Sequence, residues 1–212
     1  LQFAGAGLAG VLSLLPSARA RSALAGIATA VMSAGGIITG ALAMGGASGP
    51  LRLSVAIPGL SLLFAPDRLG GLFIVVASVV GLLVAIYGAA SARGAAASRT
   101  AWLALPLFLL GMQLVPAAAD AVSFLLVWEA MALGSTVLLL AEHASSTRVS
   151  SATVWYAVMS QVSFLFILAG FGVLSAEAAT TAFAALGPVS PASPAALIAF
   201  VLFVLGFGRK AG

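Results

Sequence analysis

The sequence predicts an all-α transmembrane protein, a polytopic bundle of about seven membrane-spanning helices. Its 212 residues are 62% hydrophobic and 7% charged, whereas about a quarter of the residues in a soluble domain are charged. The mean hydropathy is +1.22. Apolar runs of roughly 20 residues recur along the chain, and a helix of that length crosses the hydrocarbon core of a bilayer. We therefore expect the chain to lie in a membrane.

Seven apolar runs are predicted to form the spans. In chain order they are Leu1 to Leu15, Ala23 to Met44, Leu69 to Ala90, Ala101 to Ala119, Ala121 to Ala141, Ser151 to Ser175 and Ala195 to Gly212. The first run is short and has no initiator methionine, and the last stops soon after Lys210. We therefore expect the sequence to be a fragment of a longer chain.

The connectors predict one short extended segment and one tight turn. Residues 45–68 join spans two and three, and apolar residues at every second position indicate an extended or hairpin segment on the membrane surface; they are Leu51, Leu53, Val55 and Ile57. Spans four and five are separated by little more than Asp120, so we expect a tight antiparallel pair. Asp67 and Arg68 are expected to cap span three or to pair with each other. Residues 176–194 are predicted to be an external loop.

The polar composition excludes several classes of protein. The net charge of +4 is scattered along the chain, so no basic patch for nucleic acid is predicted. With no cysteine and one histidine, the chain has no side chains for a disulfide, an iron-sulfur cluster or a thiol zinc site. We expect no metal and no cofactor, and any redox centre is expected on another chain. No catalytic motif is present, so the chain is not expected to be an enzyme by itself.

The distribution of arginines predicts the orientation in the membrane. Cytoplasmic loops carry an excess of basic residues. Five arginines fall in loops on one side and two on the other; the five are Arg19, Arg21, Arg93, Arg99 and Arg148, and the two are Arg52 and Arg68. The N-terminus is therefore predicted to lie outside.

Glu129 is the most informative residue, because it is the ninth residue of span five, about 12 Å along the helix axis and near the middle of the membrane. A carboxyl group there costs roughly 2.5 to 3.5 kcal/mol on insertion, so it should face the bundle interior. Low-dielectric surroundings favour the neutral form of an acid, which lets such a group bind and release protons near neutral pH. The alternative is a structural role, with the acid hydrogen-bonded to a neighbouring helix.

Lys210 lies in a glycine-rich stretch, Gly206 to Gly212, and permits two interpretations. It is a basic stop at the cytoplasmic end of span seven, or it lies beside a break in a helix that lines a polar cavity. On straight helices its height differs from that of Glu129 by about 10 Å, so a third side chain or water would have to bridge them. Further polar side chains are candidates for supporting a proton path, namely Gln113, Ser135, Ser160, Gln161 and, at the cytoplasmic mouth, His143.

Two segments of the sequence resemble a known superfamily. Phe124 to Ser135, which contains Trp128 and Glu129, is followed about eighty residues later by Leu205 to Gly212, with the pattern Gly-Phe-Gly-Arg-Lys-Ala-Gly. Together they resemble the antiporter-like membrane subunits of complex I, Mrp cation/proton antiporters and group 4 hydrogenases. Within that superfamily the chain is most similar to component B of hydrogenase-4 and subunit 3 of formate hydrogenlyase.

The resemblance implies a fold, a site and partners. Residues 1–100 would hold the first three spans with the surface loop 45–68, and residues 101–212 would begin the first proton-channel repeat with spans four to seven, truncated. Glu129 and Lys210 would form the first half of a proton path, with Lys210 beside a break in the seventh helix. The chain would be a proton-translocating subunit of a redox complex in the cell inner membrane, with other membrane and peripheral subunits as partners. A structural anchor without transport and an Mrp-type cation/proton antiporter module, in which sodium could replace protons, stay open as alternatives.

Overall fold

The chain folds into a bundle of α-helices with a small β-hairpin at one end. The computed structural model describes residues 2–54, 61–91, 98–142, 147–186 and 193–211. In these ranges the helices are α1 (Gln2–Leu12), α2 (Ala18–Met44), α3 (Arg68–Ser91), α4 (Arg99–Leu114), α5 (Ala121–Glu142), α6 (Thr147–Ala178) and α7 (Pro194–Ala211). The strands are β1 (Leu51–Ser54) and β2 (Ser61–Phe64), and 3-10 turns cover Val115–Ala117 and Phe183–Ala185.

Five helices in the described part of the chain are long and apolar enough to cross a membrane, by length and composition; they are α2, α3, α4 with its 3-10 extension, α5 and α6. Helices α1 and α7 have 11 and 18 described residues, which correspond to about 16 and 27 Å. Each of the seven predicted spans contains one helix, so the predicted all-α transmembrane fold is confirmed.

Residues 45–68 contain the predicted hairpin. Strands β1 and β2 are antiparallel, with Leu51 opposite Phe64 and Ser54 opposite Ser61. Val55 and Ile57, which belonged to the predicted alternating pattern, lie outside the described residues. Asp67 adopts the predicted capping role, because its Oδ1 accepts a hydrogen bond of 2.6 Å from the Gly70 amide in the first turn of α3.

The hairpin is tied to the turn between α4 and α5. The Ala65 amide donates to the Ala117 carbonyl (2.8 Å) and the Ala119 amide to the Leu63 carbonyl (3.0 Å). On the other side of this turn, the Ala121 amide donates to the Thr181 carbonyl (2.9 Å). These bonds bring together the N-terminal ends of α3 and α5 and the C-terminal ends of α4 and α6. We call this part of the molecule the hairpin end of the bundle. The loop predicted at 176–194 is shorter than expected. Helix α6 continues to Ala178, and Ala182 pairs with Asp120 in the turn between α4 and α5.

Buried Asp120 is the centre of this end of the bundle. Its Oδ1 accepts from the Ser123 amide (2.9 Å), and its Oδ2 accepts from the Ser123 hydroxyl (2.6 Å) and the Leu63 amide (3.2 Å). The carboxylate thus caps the start of α5 and holds strand β2 at the same time, which satisfies backbone donors that would otherwise be unpaired.

Small residues let the helices approach closely. A Cβ placed on Gly40 of α2 would lie 2.6 Å from the Gly71 carbonyl oxygen of α3, and one on Gly111 of α4 would lie 2.7 Å from the Met131 Cβ of α5. The second contact confirms the predicted tight pairing of spans four and five. Between these helices lies an apolar core that includes Met32, Phe64, Ile74, Leu109, Leu110, Leu114 and Val127.

Candidate functional site: an acid and a base meeting on one helix

Glu129 lies in the ninth position of α5 and its side chain is directed towards α6. The amide nitrogen of Gln161 donates a hydrogen bond to its Oε1. The other oxygen, Oε2, is buried and has no hydrogen-bond partner among the described residues. The carboxyl group therefore faces a neighbouring helix, as its place in an apolar span predicted, and one of its two oxygens has no partner in the described ranges.

Lys210 approaches α6 from the other side. Its Nζ donates a hydrogen bond of 2.8 Å to the Ser160 hydroxyl and lies 5.3 Å from the centre of the Tyr156 ring. The side chain is half-buried, and Ser160 is buried with 5% of its surface exposed. The ammonium group thus has a hydroxyl acceptor and an aromatic face, both of which stabilise a cation away from bulk water.

The helix that carries Lys210 is continuous in the described residues. Helix α7 runs from Pro194 through the glycines to Ala211, so it has no break between Gly206 and Lys210. Glycine permits a break but does not impose one. Here Gly206 serves packing, because a Cβ on it would lie 2.6 Å from the Ile167 Cγ1 and 3.0 Å from the Ser163 carbonyl oxygen of α6.

Helix α6 bridges the acid and the base. The residues that bind them, Ser160 and Gln161, are consecutive, so their backbone positions differ in height by about 1.5 Å. On straight helices the heights of Glu129 and Lys210 differ by about 10 Å, so a third group has to bridge them. In the structure, the long side chains of Glu129 and Lys210 converge on one turn of α6, and that helix supplies the bridging groups.

Tyr156 belongs to the site but was not among the candidate residues. Its hydroxyl lies 2.9 Å from the Ser135 hydroxyl on α5, and Ser135 itself donates to the Ala132 carbonyl (2.8 Å). The tyrosine hydroxyl is therefore the donor to Ser135, and the bond holds the ring beneath the Lys210 ammonium. A signal in the sequence that could have indicated it is the four-residue spacing of Tyr156 and Ser160, which places both on one face of α6.

Aromatic rings close the site towards the hairpin end. Six rings from α5, α6, α7 and the second 3-10 turn are in contact, with centroids 4.8 to 6.4 Å apart; they are Phe124, Trp128, Phe171, Phe183, Phe203 and Phe207. Phe207 lies one turn before Lys210, and its ring is 5.7 Å from that of Trp128, the neighbour of Glu129. The polar groups therefore lie on the side of these rings that faces away from the hairpin.

The remaining candidates are more dispersed. Gln113 is buried in contact with α2 and α3, where its amide faces Gly36 and Ser78, and its side-chain atoms make no hydrogen bond within the described residues. His143 lies outside the described residues. Arg209 directs a guanidinium nitrogen to the sulfur of Met159. In the described part of the chain, no group of three His, Cys, Asp or Glu side chains could hold a metal ion.

Comparison with known proteins gives a family match for the second half of the chain. Residues 118–212 match the model of the family described as NADH:quinone oxidoreductase/Mrp antiporter, TM. Two uncharacterized proteins of Mycobacterium tuberculosis, MT0090 and Rv0083, are each 39% identical over 166 residues, which is 74% of this chain and 26% of theirs.

A solved structure matches the whole fold. A chain of the membrane-bound sulfane sulfur reductase, an archaeal respiratory membrane complex, superposes with a TM-score of 0.80 and 25% identity, over 99% of this chain and 33% of that one. The present chain thus spans about a quarter to a third of these proteins. It is a multi-pass membrane protein with the antiporter-like fold of a respiratory complex subunit, and residues 118–212 lie in the antiporter-like transmembrane domain. The narrower likeness to hydrogenase-4 stays a prediction.

Proposed function

We propose that this chain is part of a proton-translocating subunit of a membrane-bound redox complex, and that protons pass through Glu129 and Lys210. One observation carries the proposal. An acid on α5 and a base on α7 make hydrogen bonds to consecutive residues of α6. Similarity to the antiporter family and to a respiratory membrane complex supports it.

The contacts suggest how the two groups act on each other. Glu129 has a buried oxygen without a hydrogen-bond partner in the described part of the chain, and the ammonium group of Lys210 donates to a hydroxyl. In a low-dielectric medium, a change in the charge of one group alters the proton affinity of the other strongly. Loading a proton on one group therefore favours release from the other, and α6 contacts both groups.

The redox chemistry in this proposal belongs to other subunits, of the hydrogenase or complex I type. Electron transfer there would shift charges that change the proton affinities of Glu129 and Lys210 in turn, which couples the two processes. The chain would lie in the cell inner membrane with its N-terminus outside, as the arginines predict. The ends of α2, α4 and α6 at the hairpin would then face outward, and Lys210 would lie nearer the cytoplasm.

The proposal is tested in the complete complex, reconstituted in vesicles, by measuring electron transfer and proton translocation together. We expect Glu129→Gln and Lys210→Ala to abolish proton translocation while the complex still assembles. Glu177→Gln is the matched control, because Glu177 is an exposed acid near the end of α6 that bonds only to Ser193 in the described residues. It should translocate protons normally.

Other outcomes would select the alternatives. Normal proton stoichiometry in both variants would contradict the proposal and favour a structural anchor, in which Glu129 and Gln161 only fix the register of two helices. Transport that requires sodium, and is lost in the same variants, would favour an Mrp-type cation/proton antiporter module.

Tyr156 is assigned a positioning role in this scheme. Tyr156→Phe keeps the ring under Lys210 and removes the bond to Ser135, whereas Tyr156→Leu removes both. A half-buried cation on a partly exposed aromatic ring gains about 1 kcal/mol, so we expect Tyr156→Leu to slow translocation roughly 5-fold. Tyr156→Phe and Ser135→Ala should each slow translocation by the same, smaller factor, because each breaks the same hydrogen bond. If Tyr156→Phe is as slow as Tyr156→Leu, the ring has no role.

A further inference from the structure

Three neutral polar side chains, which we call the Ser-Ser-Gln cluster, meet between α2, α3 and α4. They are Ser33, Ser78 and Gln113, and 0%, 0% and 1% of their surfaces are exposed. Both serine hydroxyls and both polar atoms of the glutamine amide are buried without a hydrogen-bond partner among the described residues. Four unpaired hydrogen-bonding atoms thus lie in one small region.

The packing of α2 against α3 explains why these groups converge. The helices are antiparallel and each presents a serine to a glycine of the other. The Ser33 hydroxyl lies 2.9 Å from where a Cβ on Gly81 would be, and the Ser78 hydroxyl faces Gly36 in the same way. Gln113 reaches Gly36 from α4. Its side-chain amide carbon and nitrogen lie 2.9 and 3.0 Å from the position that a Cβ on Gly36 would occupy. Since each serine is three residues from the glycine on its own helix, the whole cluster occupies about one helical turn.

The depth of the cluster makes unpaired groups expensive. Ser33 is the sixteenth of 27 residues in α2, and Ser78 is the eleventh of 24 in α3, so both lie at least 15 Å from either end of their helices, on about 1.5 Å per residue. Hydrocarbon offers no hydrogen bonds, and each unsatisfied polar group there costs several kcal/mol.

We propose that the Ser-Ser-Gln cluster is a water-binding site that holds one or more ordered water molecules inside the bundle. A hydroxyl both donates and accepts, and the glutamine amide offers donors and an acceptor, which together match the two donors and two acceptors of water. All three side chains are uncharged, so they supply no charge to offset a buried cation. The site is separate from Glu129 and Lys210 and does not depend on the proposed function.

Cryo-electron microscopy of the complete subunit in its complex, at a resolution that shows ordered water, tests this inference directly. We expect at least one water peak within about 3.2 Å of two or more of the four atoms, a hydrogen-bond distance. The peak should disappear in Gln113→Leu, which replaces the amide with an apolar group of similar size.

Thr39→Val is the matched control on α2. The Thr39 hydroxyl already donates to the Gly35 carbonyl (2.9 Å), so its removal should leave the water peak in place. The inference is overturned if the unaltered protein shows no water and the serine hydroxyls instead bond to carbonyls of their own helices, the common arrangement for serine in a helix. A peak that survives in Gln113→Leu would assign the water to the serines alone and overturn the role of the glutamine.

Discussion

The α2–α3 pair and the α6–α7 pair both use glycine for close contact, but they differ in the polar groups they enclose. Between α2 and α3, a Cβ on Gly40 would lie 2.6 Å from a backbone oxygen of α3, and the polar groups are neutral and fully buried. Between α6 and α7, a Cβ on Gly206 would lie 2.6 Å from a side-chain carbon, and Lys210 nearby is ionisable and half-buried.

Polar side chains on the helices of this bundle therefore occur in two different environments. Neutral groups enclosed on all sides need fixed partners and favour a rigid structure. Lys210 of the α6–α7 pair is only half-buried, and Glu129 on the adjacent α5 has one oxygen without a partner among the described residues. The first arrangement suits a scaffold, and the second is the one through which we propose that protons pass.

The largest effect is expected from Gly40→Ala in α2. The new methyl group would meet the Gly71 carbonyl oxygen at 2.6 Å and the Val75 amide nitrogen at 3.0 Å. Since both are backbone atoms, the helices would have to separate, at a cost of about 2 to 4 kcal/mol. Thermal unfolding of the purified subunit in detergent measures the loss.

Gly7→Ala in α1 is the control for this substitution, because a Cβ there has no neighbour within 4 Å. It should be neutral or stabilise the helix by up to about 1 kcal/mol. Equal melting temperatures for the two variants would contradict the close backbone contact between α2 and α3.

A smaller effect is expected from Gly206→Ala, which tests the packing of α7 against α6. The methyl group would press on Ile167 and on the Ser163 carbonyl and push α7 away from α6, at a cost of about 1 to 3 kcal/mol. It should also lengthen the Lys210–Ser160 hydrogen bond and slow proton translocation.

Gly208→Ala, two residues closer to Lys210, has no atom within 4 Å of its Cβ and should leave both stability and transport unchanged. The same transport loss in both variants would implicate helix flexibility instead of packing.

The smallest effect is expected from Asp120→Asn, which tests how the two regions are joined. Asp120 accepts bonds from the Leu63 amide of the hairpin and from Ser123 of α5. The amide keeps the size of the side chain but replaces one of its two acceptor oxygens with an NH2 group, so at least one of these donors loses its acceptor and we expect a loss of about 1 kcal/mol. Hydrogen exchange should become faster at the Leu63 amide while the middle of α2 is unaffected. Unchanged exchange at Leu63 would show that the carboxylate does not hold the strand.

Much of the fold could be predicted because the bilayer imposes simple rules on a sequence. Helix lengths follow from apolar runs, and the hairpin follows from alternating residues in 45–68. The placement of Glu129 towards another helix follows from the cost of exposing an acid to lipid. The glycines before Lys210 did not predict a break between Gly206 and Lys210, where α7 is continuous, because glycine serves close packing as readily as it serves a bend.

The sequence by itself determined that this is a bundle of membrane helices with one acid and one base of unusual position, since hydropathy and the cost of buried charge are local properties of the chain. Only the tertiary structure decided which groups those two residues meet. Ser160 and Gln161 bridge them, Tyr156 joins the site, and Gln113 belongs to a different cluster. The physical reason is that periodicity places a side chain on a face of its helix, whereas the rotation and height of each helix against its neighbours depend on packing contacts that are distant in the sequence.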